Sequence, residues 1–223
     1  MAYWTSDMSA CYGESREDKK VKQYRIIHTQ TVPDWKSVPV LSVDEYLWGS
    51  PKTIGMEAQI CYDETAVYLH LTAHEQNIRA VYHEPMSMVC EDSCMEFFFS
   101  PKETDCRYIN FEINPNGCTY IGIGYDRYEH IRLACPDEEE LFSKHTGRTE
   151  DGWEVFFRIP VSFLGRLFPG FELTSGSVIR ANVYKCGDLT VQPHFIAWNP
   201  VTSTKPDFHR SCDFGEMILG QGT

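Results

Sequence analysis

Residues 108–117 read YINFEINPNG, and this stretch decides the fold class. The aliphatic and aromatic residues Ile109, Phe111 and Ile113 occupy every second position. The run ends in Asn-Pro-Asn-Gly, a turn sequence. Successive side chains of a strand point to opposite faces of a sheet. The pattern therefore predicts a half-buried β-strand that ends in a turn.

The same period of two recurs along much of the chain. Apolar residues alternate with other residues in stretches 67–74, 94–99, 153–159 and 179–183, and turn-forming residues separate several of these runs. Many short alternating runs predict an all-β protein, and we expect a jelly-roll-like antiparallel β-sandwich of two packed sheets. The expected core comprises Val67, Leu69, Leu71, Phe97, Phe99, Phe111, Ile113, Val155, Phe157 and Val183.

One short helix is expected among these strands. Residues 161–168 follow an Ile-Pro pair, and proline fits the first turn of a helix. The acidic run at 137–140 is expected to form a solvated loop. A chain of 223 residues suits one large β domain. We therefore expect a polar N-terminal segment over residues 1–20 and a single β-sandwich domain over residues 21–223.

The charge balance argues against two classes of partner. Twenty Lys and Arg residues stand against 32 Asp and Glu residues, which gives a formal net charge of −12. Nucleic-acid-binding proteins and proteins that dock on anionic membranes need basic surfaces, so we expect neither partner. The sequence contains no run of 18 apolar residues, so it predicts no membrane-spanning helix.

The nine cysteines form no regular disulfide framework, so most thiols are expected to be free and buried. Cys90 and Cys94 have no second cysteine pair at the spacing of a zinc finger. The first residues lack the apolar segment of a signal peptide. A cytoplasmic location is expected if the chain is full length, and an extracellular one if a signal peptide has been removed.

Polar residues occupy the strand faces opposite the predicted core. They are Glu96, Asn110, Glu112, Asn114 and Asn182. If their strands are neighbours, one sheet face carries carboxylates and amides that can bind a ligand, because a sandwich needs only one face of each sheet for its core. The alternative is an ordinary solvated face.

Three parts of the sequence resemble one known family. They comprise residues 91–101, residues 108–117, and a C-terminal part made of residues 180–188, 194–200, 206–209 and 214–215. Their residues, order and spacing resemble carbohydrate-binding module family 9, in particular its stand-alone "family 9-like" branch, from about residue 35 to the C-terminus. The resemblance implies a β-sandwich that binds sugars without cleaving them. Members of the family clamp a sugar end between two tryptophan rings and carry structural calcium.

The resemblance transfers to individual positions only in part. Trp198 stands where the C-terminal clamp tryptophan belongs, and Glu96 stands where the sugar-binding carboxylate belongs. Asn114 matches a polar position on the middle strand, where Glu112 replaces the family's arginine. Cys90 stands where the other clamp tryptophan belongs, two residues before Asp92. Residues that could replace that ring are Trp48, Tyr82, Met86 and Met88.

The sequence therefore predicts a sugar site with Trp198 at its rim and Glu96 at its floor. The remaining hydrogen-bonding groups are Asn110, Glu112, Asn114 and Asn182. Calcium is a possible cofactor, with Asp63, Glu64 or the 137–140 run as candidate ligands, but no ordered ligand pattern selects among them.

Two other functions stay open at this point. A b-haem module would use axial ligands from among Met86, Met88, His194 and His209. A glycoside hydrolase would use Glu96 with another carboxylate. The identity of the glycan and the oligomeric state cannot be read from the residues.

Overall fold

The computed structural model describes residues 21–30, 33–102 and 104–221. The expected N-terminal segment over residues 1–20 lies outside the described residues. The strands are β1 (Gln23–His28), β2 (Val40–Val43), β3 (Glu45–Tyr46), β4 (Gly55–Tyr62), β5 (Ala66–His74), β6 (Cys94–Ser100), β7 (Tyr108–Ile113), β8 (Thr119–Gly124), β9 (His130–Arg132), β10 (His145–Arg148), β11 (Gly152–Pro160), β12 (Val178–Cys186), β13 (Phe195–Ala197) and β14 (Gly215–Leu219). The helices are α1 (Glu138–Phe142) and α2 (Val161–Leu167).

The strands form two layers that share β1. The first layer has the order β10-β11-β5-β4-β1, with β2 beside β4. The second has the order β1-β14-β12-β6-β7-β8-β9, and β13 and β3 extend it beside β12. The layers pack face to face, since the rings of Phe111 on β7 and Phe157 on β11 lie 6.0 Å apart. This confirms the predicted all-β sandwich.

The sheets are mixed, so the expectation of a purely antiparallel sandwich is wrong in this detail. The first part of β1 pairs in parallel with β14, and its last two residues pair in parallel with β4. Strand β1 therefore passes from one layer to the other and closes the structure along one side. Local alternation reports which side chains face inward, but it does not report the direction of a strand's neighbours.

The main core lies between the layers. All ten residues predicted for it are at most 4% exposed. The alternation was therefore a reliable guide to this face, because burying apolar side chains is the dominant favourable contribution to folding.

The outer face of β6, β7 and β8 carries a second apolar cluster. Its members include Cys94, Phe98, Tyr108, Tyr184 and Phe208. All residues of these three strands are buried, because loop residues such as Val89, Val201 and Phe214 pack over them. The expected polar platform is therefore not an open sheet face, and what remains of it is a recess between the covering loops.

The helices agree with the sequence in one case and differ in the other. Helix α2 begins at Val161, directly after Pro160, and ends one residue before the predicted end. The acidic run, expected to be a loop, instead continues into α1. The ammonium group of the buried Lys144 lies 2.9 Å from the carboxylate of Glu138 and 3.2 Å from that of Glu139. This charge pairing anchors the acidic helix.

The cysteines agree with the expectation for most of those described. Seven carry free thiols, and Cys106 is disulfide-bonded. Cys61, Cys94, Cys118 and Cys186 are buried, whereas Cys212 is exposed. Within residues 21–30, 33–102 and 104–221, neither helix has the length and hydropathy that crossing a bilayer requires.

Candidate functional site

A cleft of about 400 Å³ opens on the outer face of the second layer. Strands β6, β7 and β8 contribute Glu96, Glu112 and Tyr120 to its lining. The remaining lining residues come from β9, the end of β12, the start of β13 and the covering loops; they are Met88, Cys90, Arg127, His130, Cys186, Asp188, Phe195, Pro206, Asp207, Phe208 and His209. The cleft thus combines aromatic rings with several titratable groups.

Two carboxyl groups, from Glu96 and Glu112, meet in this cleft. They are directly opposite each other on the paired strands β6 and β7, and they are only 2% and 6% exposed. Burial raises the pKa of Glu96 to about 7. Burial and the neighbouring charge of Glu96 raise the pKa of Glu112 well above its usual value. The pair therefore retains protons near neutral pH and can donate as well as accept hydrogen bonds.

A short hydrogen-bonded row holds Glu112 in place. The Asn110 amide nitrogen donates to the Glu112 carboxyl at 2.9 Å, and the Asn110 oxygen lies 2.7 Å from Nε2 of His130. Gly122 permits this arrangement, because a Cβ there would come within 2.0 Å of the His130 ring. Asn110 is completely buried and stands behind the cleft, so it positions Glu112 rather than lining the cavity.

Two of the predicted site residues stabilise loops instead of lining the cleft. The Asn114 amide nitrogen donates to the carboxylate of Asp92, and its oxygen accepts from the backbone of Asn116 and Cys118. The Asn182 amide nitrogen donates to the carbonyl of Asn199. Both asparagines are fully buried, so neither has surface left for a ligand. Of the six predicted residues, only Glu96 and Glu112 line the cleft.

Trp198 lies in the main core, so the expectation of a rim position is wrong. It is 4% exposed and packs within the cluster between the layers. A Cβ on Gly215 would come within 2.5 Å of its ring, which shows how closely the indole packs. The side-chain alternation explains the difference: Ile196 and Trp198 face the main core, whereas Phe195 and Ala197 face the outer cluster. The same alternation identifies Phe195, which the sequence analysis overlooked.

The proposed replacements for the second ring are separated by the structure. Met88 and Cys90 line the cleft. The hydroxyl of Tyr82 donates to the carboxylate of Glu91, outside the lining. Trp48 donates from Nε1 to the carbonyl of Ser203 at 2.9 Å and packs behind the ring of Phe208. Among the described residues, the aromatic side chains that line the cleft are Tyr120, Phe195 and Phe208.

The imidazole of His209 lines the cleft and makes the stability of the fold depend on pH. The hydroxyl of Tyr108 lies 2.7 Å from its Nδ1. Burial, together with His130 and the charge of Arg127, lowers the pKa of His209 to about 3, although Asp126 opposes this shift. The folded protein therefore keeps this imidazole neutral at pH values where the unfolded chain protonates it.

We expect His209→Gln to reduce the acid sensitivity of the fold. Below the unfolded pKa of 6.5, the unfolded chain binds a proton that the folded wild type does not. Wild-type stability should therefore fall by up to about 1.4 kcal/mol per pH unit more than that of the variant as the pH decreases from 6.5. Urea denaturation of both proteins between pH 7 and pH 5 measures this difference. If the free energy of unfolding changed with pH in the same way for both proteins, His209 would not be the source of the acid sensitivity.

The carboxylates considered as calcium ligands make contacts within the protein. The Asp63 carboxylate accepts hydrogen bonds from Thr65 and Tyr68, and Glu64 lies 3.0 Å from the imidazole of His28. The acidic run pairs with Lys144 as described above. None of these carboxylates belongs to a group of three or more His, Cys, Asp or Glu side chains at metal-ligand spacing among the described residues, so calcium binding stays a prediction.

The two histidines considered as haem ligands both make contacts within the protein. His194 is completely buried, and its Nε2 lies 2.8 Å from the ammonium group of Lys185. Its Nδ1 lies 2.8 Å from the carbonyl of Gln192. Both ring nitrogens are therefore engaged. His209 lines the cleft, but its Nδ1 is engaged by Tyr108.

Comparison with known proteins identifies the family. The family described as Carbohydrate-binding family 9 matches residues 28–219. The chain belongs to this family. A family 9 module from Caldicellulosiruptor kristjanssonii in complex with cellotriose has a TM-score of 0.66 and 14% identity, over 91% of this chain and 95% of that chain. The same comparison with a glucose complex gives a TM-score of 0.65 at 14% identity, over 91% and 97% of the two chains.

Two other relatives are similar over most of their length. A candidate carbohydrate-binding protein from Bacteroides uniformis has a TM-score of 0.78 and 26% identity, over 89% of this chain and 99% of that chain. A protein from Arthroderma benhamiae, described as an extracellular protein, is 23% identical over 208 residues, which cover 85% of this chain and 83% of the relative. The family 9 fold therefore extends over nearly the whole described chain.

Proposed function

We propose that the cleft binds a neutral sugar and that the protein is a non-catalytic binding module. The observation that carries this proposal is the buried pair of carboxyl groups, Glu96 and Glu112, in a cleft that also presents aromatic rings. Membership of family 9 supports a carbohydrate ligand.

The chemistry of the cleft suits sugar hydroxyl groups. A hydroxyl both donates and accepts hydrogen bonds, and a carboxyl pair that retains protons can do the same. Arg127 and the neutral ring of His130 add further polar groups. A uronate would bring its negative charge into a lining that already contains Asp188 and Asp207 beside the carboxyl groups of Glu96 and Glu112. Repulsion should therefore favour neutral sugars over acidic ones.

We infer that Phe195 replaces the tryptophan that the family resemblance placed at Trp198. Phe195 is partly exposed and lines the cleft, so its ring can pack against the apolar face of a pyranose. Tyr120 is less suitable, because the guanidinium group of Arg132 lies 5.0 Å over its ring. Phe208 is stacked on Tyr184 at 4.0 Å and is 7% exposed.

The related structures favour a ligand that contains glucose, since solved family 9 modules hold cellotriose and glucose. An extracellular location also suits such a ligand. The description of the Arthroderma relative supports that location, and no similar protein supports the cytoplasmic alternative.

Calorimetric titration with glucose, cellotriose and glucuronate tests the proposal. We expect binding of at least one neutral sugar, with glucuronate weaker. Phe195→Ala should weaken that binding by about 1.5–3 kcal/mol, roughly tenfold or more in Kd, because it removes a buried aromatic contact. Val191→Ala is the matched control, since Val191 is 82% exposed in the preceding loop and lies outside the lining.

Three results would count against the proposal. Equal Kd values for Phe195→Ala and Val191→Ala would show that the sugar does not stack on the ring of Phe195. Release of reducing sugar that disappears in Glu96→Gln would indicate a hydrolase. A haem absorption band in the purified protein would favour an electron-transfer module.

A further inference from the structure

Two thiols and one carboxyl group converge at the closed end of the cleft. Cys94 on β6 and Cys186 on β12 are directly opposite each other in the antiparallel pair, and Glu96 follows Cys94 by two residues on the same face. Their ligand atoms all lie within 4.8 Å of one another. The Cys186 thiol lies 2.8 Å from the Glu96 carboxyl oxygen. The sequence spacing of Cys90 and Cys94 could not reveal this group, because its second cysteine is on a distant strand.

We propose that Cys94, Glu96 and Cys186 bind a thiophilic divalent cation of the zinc type. Two thiolates and a carboxylate are ligands that zinc prefers, whereas calcium prefers oxygen alone. Zinc about 2.3 Å from each sulfur holds tetrahedral ligands roughly 3.5–4 Å apart. The contact between the Cys186 thiol and the Glu96 carboxyl oxygen at 2.8 Å therefore has to lengthen by roughly 1 Å, and the other pairs, which lie within 4.8 Å, have to shorten by roughly 1 Å.

The burial of Glu96 also points to a cation. The carboxyl group is 2% exposed, and its hydrogen bond from Cys186 comes from a thiol, which is a weak donor. Packing of cysteines as small apolar residues explains why they are buried, but it does not explain a carboxyl group placed between them. A bound cation would compensate the cost of burying that group.

The three protein ligands lie at the cleft and leave a fourth coordination position that faces it. Glu96 and Cys186 line the cavity, whereas Cys94 is fully buried behind them. Three protein ligands and one position that faces the cleft match the pattern of an open zinc site. A solvent molecule, a sugar hydroxyl or the half-buried thiol of Cys90, which also lines the cleft, can occupy that position.

Titration of the full, reduced and chelator-treated chain with Co²⁺ in the absence of sugar tests this inference. Cobalt is a spectroscopic substitute for zinc, and cobalt–thiolate bonds give intense near-ultraviolet absorption. We expect one equivalent to produce this absorption and one equivalent of Zn²⁺ to abolish it. Cys94→Ser and Cys186→Ser should each weaken binding at least about tenfold. Cys61→Ser is the matched control, because Cys61 is also a buried strand cysteine with a free thiol.

Absorption that persists unchanged in the Cys94→Ser, Cys186→Ser double variant would overturn the proposal. Absence of binding by the wild type at a tenfold excess of metal would also overturn it. If the variants do not fold, X-ray absorption of the zinc-loaded wild type decides, since two sulfur ligands are expected and a shell of oxygen or nitrogen alone would refute the site. These measurements use no sugar, so their outcome is separate from that of the proposed function.

Discussion

Replacing Trp198 with alanine is expected to destabilise the folded chain by about 3–5 kcal/mol, the range for truncating a large aromatic side chain in a core. The indole is 4% exposed between the layers, and it packs closely against Gly215. The variant loses the transfer free energy of the ring and leaves a cavity that the surrounding strands fill only in part. Urea denaturation measures this loss.

The control is Trp35→Ala, because Trp35 is partly exposed and packs against His70 and Phe156 outside the main core. We expect it to cost less than Trp198→Ala. Sugar affinity should be unchanged in the folded fraction of the Trp198 variant. The opposite result, normal stability with lost sugar binding, would place Trp198 in the binding site as the family resemblance suggested.

This position illustrates what the sequence could and could not predict. Alternation in the 195–198 stretch places Ile196 and Trp198 on one face and Phe195 on the other, so the local pattern contained the correct answer. The family resemblance matched Trp198 by its place in the sequence, and that match outweighed the pattern. A match of this kind identifies a position along a strand, but burial depends on which face of the strand that position occupies.

The rest of the site depends on contacts between strands and loops that a local pattern does not report. The sequence predicts that Glu96 and Glu112 face away from the core, but it does not predict that they are directly opposite each other on β6 and β7. The covering loops also escaped prediction, because a solvated face and a face covered by loops have similar alternation. The parallel pairing of β1 joins the first and the last strand of the described residues, and no local pattern reports such a contact.

Lys185 and Glu75 form a buried ion pair. The ammonium group of Lys185 lies 3.0 Å from the Glu75 carboxylate, and the two residues are 0% and 3% exposed. Trp153 Nε1 donates to Glu75 at 2.7 Å, and the Ser93 hydroxyl donates at 2.9 Å. Burial opposes ionisation of Glu75, but the charge of Lys185 and these hydrogen bonds outweigh it and lower the pKa of the carboxyl group. Glu75 is therefore charged at neutral pH.

Lys185→Met is expected to cost about 3–5 kcal/mol at pH 7, because it leaves the Glu75 carboxylate buried without its cation. The cost should decrease as the pH falls from 7, because burial without Lys185 raises the pKa of Glu75 above its usual value of 4.5 and the variant takes up a proton there. In the wild type the depressed pKa of Glu75 contributes stability above about pH 4.5 and loses it below, whereas the variant regains stability when Glu75 is protonated. Denaturation of both proteins at pH 7 and pH 4 measures this change.

The double variant Glu75→Gln, Lys185→Met separates charge from packing. It removes both charges and leaves an amide that can still accept from Trp153, so it should be more stable than Lys185→Met alone. A double-mutant cycle with the two single variants gives the coupling energy of the pair. Additive effects, or a Lys185→Met cost that does not change with pH, would show that the lysine contributes mainly through its aliphatic chain. A coupling of more than about 1 kcal/mol would confirm that the two charges stabilise the junction between β5 and β12.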